Sequence, residues 1–434
     1  MTHACGRLRR GAVTATAVGM LTVPVTGPAA SGAPVSVRTA ATAPQPPPST
    51  APRPPPSTVP QPPSPSASPA GRVRTLTPAV TRQLDGTVRQ VMREANVPGV
   101  SVGLWTPGQG TYIRSFGVAD KSNGRRMSPD LYMRIGSETK TFTVTALLKL
   151  VDEGKAGLDD PIGRYVAGVP GGDRITLREL AGMRSGLFNY TEDPGFFKAF
   201  TSDPQRPFTP RQLLAYAFKH PVLFPPGQKF SYCNTNLILL GLAVEKAGGK
   251  PVQDYIHDSV LAPAGLRHTL FPAGAAFPGP HAQGYTDQTA TGKVEDTAGW
   301  NPSWAWTAGA MISDLDDLRV WARTVATGVL PDGTTLISPA TQKQRLTTPP
   351  TTVPGAGYGL GIFDVQGWIG HNGSLPGYES LTVYLPAAQA TLVVLLNTDI
   401  DHNGAEPSTL FGEAITKIVS PGHVFSLPAQ PAAR

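Results

Sequence analysis

The order of elements along this chain predicts an α+β fold: an antiparallel sheet flanked by helices, its two sequence halves separated by an inserted helical lobe. Three observations lead there. Strand-like alternation is confined to residues 100–119 and 358–396, helical periodicity fills the span between them, and a helix-like segment stands at each end of the ordered region. Such an order favours a site at the junction of sheet and lobe.

Residues 1–33 open with Arg7, Arg9 and Arg10, continue through the mildly apolar Gly11–Val25, and end in the small residues Ala29, Ala30, Ser31, Gly32 and Ala33. That is the three-part form of an export signal, and Arg9-Arg10 keeps a twin-arginine route open beside the general secretory one. A disordered basic tail is the plainer alternative. Residues 34–75 are proline-rich: Ala43–Thr50 and Ala51–Thr58 repeat one pattern, and a degraded third copy runs from Val59 to Ser66. So much proline favours an extended, disordered linker that acts as a semi-rigid spacer of about 3.1 Å per residue.

The folded domain is expected over 76–420, with the helical lobe at about 155–330 and a tail at 421–434. Thr75 or Thr77 caps a helix from Pro78 to about Ala95, with Val80, Leu84, Val88 and Val91 on one face. Val100–Trp105 and Thr111–Ala119 alternate around a Pro-Gly turn and form a hairpin. The apolar run Thr141–Val151 reads as a buried helix starting near Ser137, stopped at Gly154. Leu177–Ala181, Pro210–Phe218, Asn236–Ala247, Val252–Leu261 and Asp314–Ala326 suit helices; Tyr358–Phe363, Gly367–Gly370, Ser380–Leu385 and Thr391–Leu396 suit strands; Pro407–Val419 suits a closing helix.

The formal charge of +7 is concentrated in the leader and linker. Residues 1–74 hold seven Arg and no Asp or Glu, which leaves 30 basic against 30 acidic residues from Thr75 onward. A neutral domain gives no footprint for nucleic acid. Cys5 lies in the leader, so Cys233 stands alone in the domain and no internal disulfide is expected. No Cys/His cluster has zinc spacing, so neither metal nor cofactor is expected.

Chemistry concentrates in Ser137-Glu138-Thr139-Lys140. A spacing of three on a helix brings hydroxyl and amine within reach, and a lysine whose pKa is lowered by burial and neighbouring cations can take the serine proton. Tyr232-Cys233-Asn234 offers a phenol that relays a proton if an adjacent ammonium lowers its pKa, and an amide for a substrate carbonyl. Alone, these read sooner as a core tyrosine and a helix cap. His371-Asn372-Gly373-Ser374 lies between strand segments, where glycine would let substrate lie against the backbone. Two decoys stand apart. Ser101 sits in a Gly-x-Ser-x-Gly pattern without the strand-to-helix turn that motif requires, and His402-Asn403-Gly404 reads as a surface turn.

Ser137-x-x-Lys140, Tyr232-x-Asn234 and His371-x-Gly373 resemble, in this order, the three active-site motifs of the serine beta-lactamase and penicillin-binding-protein superfamily. The histidine points to the branch of class C beta-lactamases, secreted D-alanyl-D-alanine carboxypeptidases, D-aminopeptidases and related esterases. Arg134-Ile135-Gly136, Ser185-Gly186-Leu187 and Gly357-Tyr358-Gly359 agree, and the likeness covers roughly residues 76–420. It implies that Ser137 is acylated while Lys140 and Tyr232 move protons. Asn234, His371 and Gly373 would serve the substrate, the amides of Ser137 and Ser374 would form the oxyanion hole, and Trp304 would wall the pocket. The activity expected is a D-alanyl-D-alanine carboxypeptidase, secreted or wall-associated, acting on a small or peptide substrate from the cell wall, with no nucleic acid and no stable membrane span after signal removal. The alternatives are an esterase or D-aminopeptidase of the same superfamily, and a non-catalytic penicillin- or wall-binding protein. No arginine occurs between Arg345 and Arg434. Recognition of a substrate carboxylate would therefore fall to His371, Ser374 or an arginine of the lobe.

Overall fold

The computed structural model describes residues 73–427; the expected export signal and nearly all of the linker lie outside the described residues. In chain order the elements are α1 (Pro78–Glu94), β1 (Gly99–Thr106), β2 (Gly110–Asp120), β3 (Arg125–Arg126), β4 (Met133–Arg134) and α2 (Thr139–Asp152). The lobe supplies α3 (Leu177–Ala181), α4 (Pro194–Ser202), α5 (Pro210–Phe218), α6 (Asn234–Gly248), α7 (Val252–Ile256), α8 (Ala262–Ala264), β5 (Tyr285–Thr286) and β6 (Glu295–Asp296). Then come β7 (Ile312–Ser313), α9 (Leu315–Thr327), α10 (Pro339–Arg345), β8 (Ala356–Tyr358), β9 (Phe363–Val365), β10 (Trp368–Leu375), β11 (Tyr378–Leu385), β12 (Ala390–Leu396) and α11 (Pro407–Val419).

The predicted α+β architecture is present. One antiparallel sheet runs β3-β2-β1-β12-β11-β10-β9-β8, and its halves join where β1 pairs with β12, Val102 opposite Val394. Every residue of β11 and β12 is buried. Their continuous apolar character is what a strand needs when both sheet faces are covered. Helix α11 packs on β11 and β12 with α1 beside it, and α9 packs on β1, β10, β11 and β12. Helix α9 therefore belongs to the sheet layer and not to the lobe in which its sequence position had placed it.

Local signals explain most elements. Thr77 caps α1 by accepting from the Val80 amide, Pro78 opens it, and Val80, Leu84, Val88 and Val91 form its buried face. The predicted strand Tyr358–Phe363 is two strands, because the Gly359 amide bonds Ile362 and the intervening Gly361 adopts a φ of +69°. The predicted strand ending at Gly370 continues to Leu375, so His371–Ser374 lie inside β10. Helices α4 and α10 were not anticipated, although Asp193-Pro194 and Ser338-Pro339 carry the capping signal for both. Residues expected in the linker and tail also join the domain: the Arg74 amide donates to Val419, Phe425 is fully buried, and the Trp368 indole donates to His423.

Helix α2 is buried on nearly every side. Its threonines satisfy their own hydroxyls, Thr141 donating to Glu138 (2.7 Å) and Thr143 to Thr307 (2.8 Å), so a polar sequence is accommodated in the core. Trp321 of α9 clamps the same helix. Its indole donates to the Thr141 hydroxyl at 2.7 Å and its ring stacks on Phe142, centroids 4.1 Å apart. Replacing Trp321 with Ala is expected to lower the unfolding free energy by about 3–5 kcal/mol, measured by chemical denaturation.

Candidate active site

The nucleophile's segment is built by backbone contacts. β4 pairs with β7, the Ile135 amide bonds Met311, and Gly136 then adopts a φ of +52° in the 3-10 turn Gly136–Glu138 that leads into α2. A Cβ at Gly136 would lie 2.7 Å from the Ser374 amide nitrogen. Only glycine lets the Ser137 turn and β10 approach this closely, and that approach sets the backbones of Ser137 and Ser374 side by side.

Ser137 and Lys140 are both buried, and Lys140 Nζ lies 2.8 Å from Ser137 Oγ and 2.7 Å from the Ala308 carbonyl. Burial holds the Lys140 amine well below the usual lysine range. The anticipated neighbouring cations play no part in this; desolvation does it. An uncharged amine donates one proton to Ala308 and keeps its lone pair for the serine hydroxyl.

Tyr232 stacks its ring 4.9 Å below Lys140 Nζ, and its buried hydroxyl faces Ser137 without completing a hydrogen bond. Burial, with Tyr358 beside it, raises the phenol well above its ordinary value. The expected lowering by an ammonium is thus reversed: desolvation dominates at this hydroxyl and favours the protonated phenol. Tyr232 is a proton-bearing group here and suits donation to a leaving atom.

Asn234 opens α6; its backbone amide donates to Asn189 (3.1 Å) and its side-chain amide to Thr191 (3.4 Å). Cys233 points elsewhere, its thiol directed at the Leu187 carbonyl and pushed by burial up to about 12, so it is inert. His371 of β10 is almost wholly buried. Its Nδ1 engages the Asn372 carbonyl, which can only accept, so Nε2 accepts from the Tyr358 hydroxyl at 3.1 Å. Burial pushes this imidazole down to about 3. A neutral ring with both nitrogens engaged does not serve as a carboxylate's cation, which removes His371 from the three candidates the sequence offered for that part.

Gly373 has a different use from the one expected. A Cβ there would stand 2.0 Å from the Ile135 carbonyl oxygen and 2.7 Å from Ser380 Oγ. Its missing side chain seats β10 against the nucleophile's turn and opens no surface to substrate. Ser137, Tyr190, Asn234, Trp304, Ala305, Ala308, Gly309, Ser374 and Leu375 line one narrow cavity, so Trp304 does wall the nucleophile's pocket. Sequence reasoning missed the Ala308 carbonyl, the Tyr358 partner and Tyr190, whose hydroxyl holds the Trp304 carbonyl at 2.6 Å. Tyr358 in Gly357-Tyr358-Gly359 and Ala308 at the head of Ala308-Gly309-Ala310 lay in stretches that carry the resemblance, whereas Tyr190 did not.

The decoys fall away. Ser101 lies in β1, bonded to Ser115 (2.8 Å), and His402 bridges to Ala405 across a turn. Among the described residues, His268, Asp314 and Asp317 bring three ligand-type atoms together. Their oxygens are occupied with capping α9 and holding His268 and Thr269. Gly373→Ala is expected to lower kcat/KM for a chromogenic ester about 100-fold, because the added methyl must displace the Ile135–Ser137 backbone by around an ångström. Thermal unfolding measured alongside separates this from a folding failure.

Comparison with known proteins agrees with this geometry. The beta-lactamase family model matches residues 84–410. A D-stereospecific amidohydrolase from Streptomyces sp. is 31% identical, with a TM-score of 0.65 over 74% of this chain and 94% of that one. A D-amino acid amidase from Ochrobactrum anthropi SV3, solved with L-phenylalanine amide, is 25% identical with a TM-score of 0.67 over 80% and 97% of the two chains. D-aminopeptidase of Brucella anthropi is 27% identical over 322 residues, 72% of this chain. The chain spans 59% of that relative's length and 65% of the length of other curated relatives. With a match across most of the folded domain, the chain belongs to the beta-lactamase family.

Proposed function

We propose that this chain is an acyl-serine hydrolase that cleaves amides or short peptides of D-amino acids bearing a free α-amino group. The observation that carries this reading is the charge of the pocket. No residue lining the cavity is a cation, the neighbouring Lys140 and His371 are pushed down by burial, and Arg134 lies beyond Trp304 and Leu375 in the adjoining cavity, which disfavours a substrate carboxylate beside Ser137. An anion is near instead. Glu192 accepts from the Asn189 side chain at 3.2 Å, and that same side chain holds the Asn234 backbone amide. A carboxylate at this position suits an α-ammonium. The similarity to proteins named amidohydrolase, amidase and aminopeptidase supports the same choice over the carboxypeptidase.

In this mechanism Lys140 takes the Ser137 proton as Oγ attacks the amide carbon. The amides of Ser137 and Ser374 receive the developing oxyanion. Tyr232 gives its proton to the departing amine and regains one from Lys140, and the C–N bond breaks to leave an acyl-serine. Water then attacks the ester by the same route in reverse, releasing the D-amino acid. The substrate is small and of cell-wall type, and the basic leader and proline repeats suit an exported chain held off a surface. No described helix is long and apolar enough to cross a membrane.

The test compares D-phenylalanine amide, its N-acetylated form and an N-acylated D-Ala-D-Ala peptide as substrates. The free-amine amide is expected to be hydrolysed best. Ser137→Ala should abolish turnover, by about 10³-fold or more, and Glu192→Gln should raise KM about tenfold with kcat little changed. Preference for the N-acylated D-Ala-D-Ala peptide would instead establish a carboxypeptidase.

A further inference from the structure

Glu138, next to the nucleophile, has no role in the chemistry above and is the most anomalous buried group near it. It is 1% exposed, and neither carboxyl oxygen has a hydrogen-bond partner. The Ser380 and Thr382 hydroxyls of β11 face it. Thr382 Oγ is itself buried without a partner, while Ser380 donates to the Ile135 carbonyl at 2.9 Å. An ionised carboxylate here would have no cation, since Lys140 is uncharged and committed to Ser137 and Ala308. A protonated carboxyl has what an ion lacks: an O–H to donate to a hydroxyl of β11 and an oxygen to accept from one. Burial accordingly raises Glu138 to about 8.

We infer that Glu138 is a positioning residue for Ser137: as the uncharged acid it ties the 136–138 turn to Ser380 and Thr382 of β11, and when ionised it disables the site.

Both consequences follow from where the side chain lies. The turn packs against β10, β11 and α2. The titratable groups on those elements are His371 on β10, Tyr378, Glu379 and Tyr384 on β11, and Lys140, Lys149 and Asp152 on α2. His371 pairs opposite Thr382 and shares its face, whereas Glu379 points the other way, to the Ser408 amide of α11. Lys149 and Asp152 sit at the far end of α2, and Tyr378 is a neutral phenol donating to Ala282. His371 on that face, and Lys140 two residues along the chain, are therefore the site groups through which a charge on Glu138 would act. A carboxylate there would favour the protonated lysine, removing the base, and would oppose the negative charge developing beside Ser137. Hydrolysis should then fail as pH rises through the Glu138 transition.

The inference rests on Ser137 and Lys140 acting as nucleophile and base, so the test includes that arm. The full chain is assayed with p-nitrophenyl acetate from pH 6 to 10, as wild type, Glu138→Gln, Glu138→Ala and Ser137→Ala. Wild-type kcat/KM is expected to fall about tenfold per pH unit above about pH 8. Glu138→Gln, which keeps a neutral donor and acceptor, should stay within about threefold at pH 7 and lose the alkaline fall. Glu138→Ala should lower kcat about tenfold or more at pH 7 with KM little changed. A wild-type profile flat from pH 7 to 9, or a Glu138→Gln profile superimposed on it, overturns the inference whatever the stability of the variants. If Ser137→Ala hydrolyses the ester like wild type, it is the hydrolase reading that fails.

Discussion

The site depends on keeping a lysine uncharged. Lys140 is fully buried beside Ser137, and its amine can take the part of base proposed for it because surroundings that cannot solvate an ammonium hold it well below the usual lysine range. Much of the architecture serves that exclusion of water. Helix α2 is enclosed by the sheet, by α6 and by the 306–308 turn, and Trp321 seals it from α9. The Ala308 carbonyl, 168 residues away in sequence, fixes the direction of the amine.

A second constraint is backbone proximity. The oxyanion site inferred here needs amides from the start of α2 and the end of β10 in one place, and two missing side chains allow it. Gly136 and Gly373 are each backed against the other's segment so closely that a methyl group would collide with backbone. Sheet order supports this arrangement, since β10 reaches the turn only because β11 and β12 join it to the N-terminal hairpin. A large displacement of either strand would separate the reacting groups.

The pocket's electrostatics invert in part the expectation drawn from residue types. Burial lowers Lys140, as a lysine base requires, and lowers His371 as well, yet it raises Tyr232 where an activated phenol was expected. The same desolvation raises Glu138, so the interior around Ser137 is polar but nearly without charge. Each protonation state there is set by the absence of water more than by a partner ion. Glu192, at the surface end of its turn, is also raised by partial desolvation, against which the Asn189 side chain works.

The sequence by itself determined the fold class and most of the elements, and it picked out the residues of the proposed site. These rest on short-range signals: Thr77-Pro78 at the start of α1, the period of Val80, Leu84, Val88 and Val91, and spacings of two or three residues within each motif. Where a local signal was ambiguous, as between Tyr358 and Phe363 or beyond Gly370, the reading of strand limits failed. Ends of strands are decided by partners distant in the chain. The tertiary structure alone decided that His371 is paired with Tyr358, that Gly373 seats a strand, and that Lys140 and Tyr232 carry the protons they do. A protonation state is a property of the dielectric around a group, and that dielectric is assembled from residues far apart in sequence.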